Sequence, residues 1–109
     1  MTTDKRLVLT TAGAAEEASR IAQALVERRL AACVNVIAPI SSVYRWKEKV
    51  EHAQEWLLLI KTTAEASDAV ADAIRELHSY ELPECVVLSI EGGSEAYLEW
   101  IGENVALPG

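Results

Sequence analysis

The sequence lacks the features that mark several classes of protein. There is no phenylalanine among the 109 residues, so the core must be built from aliphatic side chains and three tryptophans. No apolar run reaches the roughly 18–20 residues that span a bilayer, and Trp56–Ile60 is only as long as a strand. The segment Met1–Arg6 has no apolar stretch typical of a signal peptide. These absences predict a cytoplasmic protein that does not engage a membrane.

Motifs for common chemistries are also missing. The two cysteines form no C-x-x-C pair and have no histidine at zinc-finger spacing, so a structural zinc site is not expected. Neither a phosphate-binding glycine motif nor a G-x-S-x-G nucleophile elbow occurs. The net charge of −7 argues against sequence-independent nucleic-acid binding, which needs clustered Lys and Arg. Because nothing pairs a nucleophile with a base, an enzyme is the least favoured class.

The order of apolar patterns predicts an α+β domain over residues 1–109. Strand patterns at 6–11, 32–46, 50–61 and 85–90 alternate with helical stripes in the order β-α-β-β-α-β, followed by a short terminal helix. This is the split βαβ, or ferredoxin-like, arrangement, with two helices on one face of a four-stranded antiparallel sheet. Thr62 or Thr63 is expected to cap the second helix, Thr62 in a capping box with Glu65, and Ser94 is expected to cap the terminal helix.

The hairpin patterns Ala32–Trp46 and Val50–Lys61 are long for this chain. Fifteen extended residues span roughly 50 Å, whereas a globule of this size is only about 34 Å across. The overshooting part carries apolar side chains, namely Val43, Tyr44, Trp46, Val50 and Trp56. Such surface needs another chain to cover it. We therefore expect an obligate oligomer with its functional site between subunits.

Four residues are candidate metal ligands. His78 follows the second helix, where an imidazole either caps helix carbonyls or binds a metal ion. Glu81 and Glu84 lie close to it in sequence. Cys33 lies early in the first hairpin strand, between Ala32 and Val34, where packing is favoured over a ligand or redox role.

A second group is expected at the subunit interface or in an inter-subunit cleft. Its aromatic members are Tyr44, Trp46, Trp56 and Tyr80, and its charged members are Lys61 and Glu84. For the aromatic side chains of the hairpin, interface packing is favoured over stacking on a ligand. Lys61 either pairs with Glu84, the commoner outcome, or attracts an anion.

Several separate blocks resemble the CutA family of divalent-cation tolerance proteins. They are AACVN at 31–35, YRW at 44–46, LLIKT at 58–62, LHSYELPE at 77–84 and YLEWI at 97–101. The resemblance implies a ferredoxin-like fold and a cytoplasmic homotrimer, joined through long hairpins in a manner similar to the PII signalling proteins. It also implies tolerance of copper and other divalent cations, with no established catalytic reaction.

The chain departs from the family pattern at proposed metal ligands. The stretch Leu9–Ala12 has no sulfur, Leu77 precedes His78, and Ser79 stands where a proline is usual. Of the proposed copper ligands only His78 carries over, so we expect copper(II) or another divalent cation to bind weakly. The favoured function is a homotrimeric divalent-cation tolerance protein. The alternative is a non-enzymatic PII-like signalling or scaffold trimer that binds a small metabolite or a protein in its clefts.

Replacing Trp46 by Asp tests the oligomer. A carboxylate at a buried interface position is expected to dissociate the assembly or to cause aggregation, since burying an unpaired charge is costly. Size-exclusion chromatography and native mass spectrometry measure this. A soluble, intact trimer of the variant would contradict the proposed burial of Trp46.

Overall fold

The computed structural model describes residues 3–107 of the chain. Met1 and Thr2, and the last two residues of the domain predicted over 1–109, lie outside this part. The elements are β1 (Lys5–Ala12), α1 (Ala15–Glu27), β2 (Cys33–Trp46), β3 (Lys49–Thr63), α2 (Ser67–Leu77), β4 (Val86–Ser89) and α3 (Glu95–Glu103). No helix within 3–107 is long and apolar enough to cross a bilayer.

The strands form one antiparallel sheet in the order β2-β3-β1-β4. The predicted α+β, ferredoxin-like fold is therefore confirmed. Strand β1 lies inside the sheet because Leu7–Leu9 is apolar on both faces. In the register, Val8 lies opposite Ile60 on one side and Val87 on the other.

The core lies between α1, α2 and one face of the sheet. Alternation along the strands turns Val8, Leu58 and Ile60 toward the helices, and none of these side chains is accessible to solvent. The helices present the apolar stripes that their spacing predicts, Ala18–Ile21–Leu25 on α1 and Val70–Ala73–Ile74 on α2. Each fully buried aliphatic side chain contributes about 1.5–3 kcal/mol to folding.

The predicted caps have different outcomes. Ser94 caps α3, since its side chain accepts a hydrogen bond from the Tyr97 N–H at 3.3 Å. The prediction that Thr62 or Thr63 caps α2 is wrong: α2 begins at Ser67, Ala66 is its N-cap, and no side chain within residues 3–107 caps it. Thr62 stays in β3 opposite Arg6, because the ladder with β1 continues to Thr63. Its buried hydroxyl donates to the Leu30 carbonyl at 2.6 Å instead.

The hairpin of β2 and β3 extends beyond the rest of the sheet. Its ladder runs from Cys33 opposite Lys61 to Trp46 opposite Lys49. The connecting turn is shorter than expected: Lys47 and Glu48 both have positive φ, 50° and 67°, as in a two-residue type I′ turn. Strand β1 ends opposite Trp56, so beyond that point β2 is the only strand of residues 3–107 that pairs with β3.

The second face of the sheet is largely uncovered. It carries side chains from all four strands, including Leu9, Leu57, Ile37, Val86 and Leu88. Ile37, Val86 and Leu88 are 45%, 43% and 43% exposed. Helix α3 contacts β1 and β3, and its Gly102 lies against the Lys5 side chain at the start of β1. An apolar face is thus left open, as expected for an oligomer.

Thr62→Val is expected to destabilise the fold by about 1–3 kcal/mol, because the buried Leu30 carbonyl loses its donor. Thr10→Val is the matched control. Thr10 is equally buried, and its hydroxyl has no partner among residues 3–107, so its removal is expected to be neutral or stabilising. Denaturant unfolding at one fixed protein concentration compares the two. Equal effects would contradict this account of Thr62.

Candidate functional site

A groove of about 950 Å³ lies between the outer part of the hairpin and the segment that follows α2. We call it the hairpin groove. One wall is Ser42–Trp46 of β2, and the other is Ser79–Val86. Thr11, at the end of β1, and Glu55, in β3, complete the lining between them.

A carboxylate and a phenol meet in this groove. The Tyr80 hydroxyl donates to Glu55 Oε2 at 2.8 Å, and Glu55 is only 7% exposed. A Cβ at Gly13 would lie 2.7 Å from the same hydroxyl, so only glycine lets the tyrosine approach β1 this closely. Burial, and next the hydrogen bond with Glu55, raise the pKa of Tyr80 above its ordinary value of 10.0.

His78 fastens the loop to β1. Its ring is fully buried, with Nε2 at 2.5 Å from the Thr11 carbonyl and Nδ1 at 3.0 Å from the Tyr80 N–H. Because a carbonyl only accepts and an amide N–H only donates, the ring proton is assigned to Nε2. Within residues 3–107 the ring therefore binds β1 and its own loop, and caps no carbonyl of α2. A Glu17 oxygen, 3.5 Å from Nδ1, has no other partner there.

The predicted metal ligands lie in different surroundings. Glu81 and Glu84 are exposed in the groove wall, whereas both ring nitrogens of His78 are engaged. Cys33 lies at the other end of the sheet. It pairs with Lys61 and Thr11 pairs with Leu57, so their partners are four residues, or about 13 Å, apart along β3. Across 3–107, no three His, Cys, Asp or Glu side chains are grouped to hold a metal ion. These residues form no ready-made metal site in one chain, and metal binding stays a prediction.

The predicted cleft residues divide into two sets. Tyr44, Trp46, Tyr80 and Glu84 all line the hairpin groove. Trp56 packs against the core cluster on the helical side, because its side chain lies on the same face of β3 as those of Leu58 and Ile60. Lys61 lies outside the groove and donates to the Asn35 side chain. A role of these residues at a subunit interface stays a prediction.

Sequence reasoning missed Glu55, Gly13 and Glu17. The one local signal for Glu55 is its place directly before the apolar run of β3. Its partner Tyr80 is 25 residues away in sequence, and no local pattern connects them. In the sequence Gly13 looks like an ordinary turn residue, because only the fold brings the Tyr80 hydroxyl beside it.

A model of the CutA1 divalent ion tolerance protein family matches residues 6–104. The chain belongs to this family. The CutA protein of Thermus thermophilus, named a divalent-cation tolerance protein, is 46% identical over 100 residues, covering 92% of this chain and 97% of the relative. Human Protein CutA is 46% identical over 84 residues, covering 77% of this chain but 47% of the human protein. The chain thus spans about half the length of that relative.

Solved CutA structures have the same fold. The Thermus thermophilus protein superposes with a TM-score of 0.91 at 45% identity, covering 94% of this chain and 99% of that one. CutA from Xylella fastidiosa gives a TM-score of 0.93 at 38% identity, covering 95% and 100%. The resemblance read from the sequence is confirmed, and CutA is not a known enzyme family. Other relatives are named chloroplastic or periplasmic, so a cytoplasmic location stays a prediction.

The raised pKa of Tyr80 predicts a loss of stability in alkali. Above pH 10 the unfolded chain releases the phenol proton while the folded chain retains it, so the free energy of unfolding falls as pH rises. Below pH 10 the phenol is protonated in both the folded and the unfolded chain, so the full stability is present. Denaturant unfolding across this range should show a steeper decline for the native sequence than for Tyr80→Phe.

The exposed Tyr97, stacked on Trp100, supplies the control. Tyr97→Phe should keep the steep alkaline decline of the native sequence. If the free energy of unfolding falls equally with pH in the native sequence and in Tyr80→Phe, Tyr80 does not contribute to the alkaline loss of stability.

Proposed function

We propose that this protein is a non-enzymatic homotrimer that acts in divalent-cation tolerance. The tolerance role is the one that the names of its relatives give for those proteins. The observation that carries the proposal is the hairpin that projects beyond β1 beside an open sheet face. In the trimer the hairpins of neighbouring subunits pair around the threefold axis and cover apolar surface that one chain exposes. That surface includes Val43 and Val50, which are 63% and 56% exposed.

The proposed cation site uses the loop after α2. Glu81 and Glu84 supply exposed carboxylates, which suit divalent cations, and His78 supplies an imidazole, which suits copper. His78 binds a metal ion only by giving up a contact with Thr11 or Tyr80, and this cost predicts weak affinity. Cys33 takes part only if a neighbouring subunit brings it near, because it lies far from His78 in its own chain. Copper(II) is the first ion to test.

A second candidate function is binding of a small metabolite or a protein in inter-subunit clefts, as in a PII-like signalling or scaffold trimer. The hairpin groove favours it. Its 950 Å³ is within the range of small-molecule sites, roughly 300–1,000 Å³, and it combines aromatic walls with a buried carboxylate. In the trimer this groove borders the neighbouring hairpin, so its occupant contacts two subunits.

Native mass spectrometry with a small excess of copper(II) tests the metal proposal. The native sequence should form a trimer that takes up about one copper ion per chain. His78→Ala should abolish this uptake, whereas His52→Ala should not. His52, the other of the two histidines, is exposed in the outer part of β3 and is the matched control.

Because His78 also fastens the loop, a second variant separates folding from binding. Replacing both Glu81 and Glu84 by Gln changes exposed side chains only, and should weaken uptake while the trimer persists. Unchanged stoichiometry and affinity in His78→Ala would exclude His78 as a ligand. A trimer of the native sequence that takes up no copper would favour the second candidate.

A further inference from the structure

Glu55 presents a carboxylate oxygen to the hairpin groove. The residue is more than nine-tenths buried and lines the groove. Its Oε2 accepts the Tyr80 hydroxyl, whereas Oε1 is not among the buried side-chain atoms of residues 3–107 that lack a partner, so it is open to the groove. An ionised carboxylate offers about four acceptor positions, and the Tyr80 hydroxyl fills one of them. A donor that enters the groove can therefore bind Oε1 in place of water.

Aromatic faces stand on the walls around this acceptor. Tyr44 and Trp46 are 45% and 37% exposed, although both are large apolar side chains. The ammonium of Lys47 lies 5.7 Å from the centroid of the Trp46 ring, so this ring already accepts a cation from its own chain. The walls therefore suit a ligand that is cationic and partly apolar.

The charges of the groove agree with a cationic occupant. The charged side chains that line it are Arg45, Glu55, Glu81 and Glu84. The Arg45 guanidinium donates to the Glu48 carbonyl at 3.4 Å, at the hairpin turn. Three carboxylates against one guanidinium disfavour an anion.

We propose that the hairpin groove binds a small aliphatic amine, with its ammonium on Glu55 Oε1 and its methylene groups against Tyr44 and Trp46. An ammonium carries three donors and binds both a carboxylate oxygen and aromatic faces. A bare metal ion needs several oxygen or nitrogen ligands at once, and no three His, Cys, Asp or Glu side chains of residues 3–107 are grouped to supply them. The inference rests on the second candidate function, in which the groove is a ligand cleft of the trimer.

Isothermal titration calorimetry of the intact protein tests this with 1,4-diaminobutane as the probe. The diamine should bind, whereas 1,4-butanediol, which has the same chain without charge, should not. Magnesium chloride at matched ionic strength should displace little diamine, because it cannot use the aromatic faces. Glu55→Gln keeps the size of the side chain and removes its charge, and should weaken binding about tenfold or more.

Glu65→Gln is the matched control, since Glu65 is exposed before α2 and lies outside the groove. It should leave the affinity unchanged. If both variants weaken diamine binding equally, the attraction is a diffuse one to an acidic protein, and the proposal is overturned. Binding of the diol, or no binding of the diamine, would overturn it as well. If Glu55→Gln does not fold, Tyr80→Phe is the second variant to test. It frees Oε2 of Glu55, so the affinity for the diamine should stay the same or rise. A loss of affinity in Tyr80→Phe would overturn the proposal.

The oligomeric state and copper uptake are measured separately by native mass spectrometry. A trimer that binds copper but no diamine overturns this inference alone. A monomer that still binds the diamine contradicts the proposed trimer and supports the groove site.

Discussion

The structure depends on a mismatch in strand length. Strand β1 has eight residues and β3 has fifteen, so in the described part of one chain the outer part of β3 pairs with β2 alone. A two-stranded ribbon is marginally stable by itself in water. This ribbon also exposes Val43 and Val50, which gain stability only when further protein covers them. The same projection forms one wall of the hairpin groove, so assembly and the candidate site share one physical cause.

The second wall is held by polar contacts rather than by apolar packing. The buried ring of His78 joins the loop after α2 to the Thr11 carbonyl, and the Tyr80 hydroxyl joins it to Glu55. Gly13 leaves the space in which that hydroxyl lies. A polar group buried without its partner costs more than a satisfied hydrogen bond contributes. These contacts therefore set the position of the loop, including its exposed carboxylates Glu81 and Glu84.

The two candidate ligand classes share a sign of charge. Divalent cations and alkylammonium ions both suit a groove with more carboxylates than guanidinium groups. They differ in what they need beside charge: a metal ion needs converging oxygen or nitrogen ligands, whereas an ammonium can use aromatic faces. The single chain offers the aromatic faces directly. It offers converging ligands only if His78 exchanges a backbone contact or a neighbouring subunit contributes.

Five features could be predicted from the sequence: the element order, the α+β fold, the apolar stripes of both helices, the long hairpin and the CutA family. These are local or periodic features, and each is written in consecutive residues. Three features follow only from how the elements pack: Thr62 bonds Leu30 rather than capping α2, Trp56 joins the core, and His78 is buried. Packing also pairs Glu55 with Tyr80, two residues 25 positions apart. Such contacts depend on strand register and on how elements pack, and a one-residue shift in register would turn each side chain to the opposite face.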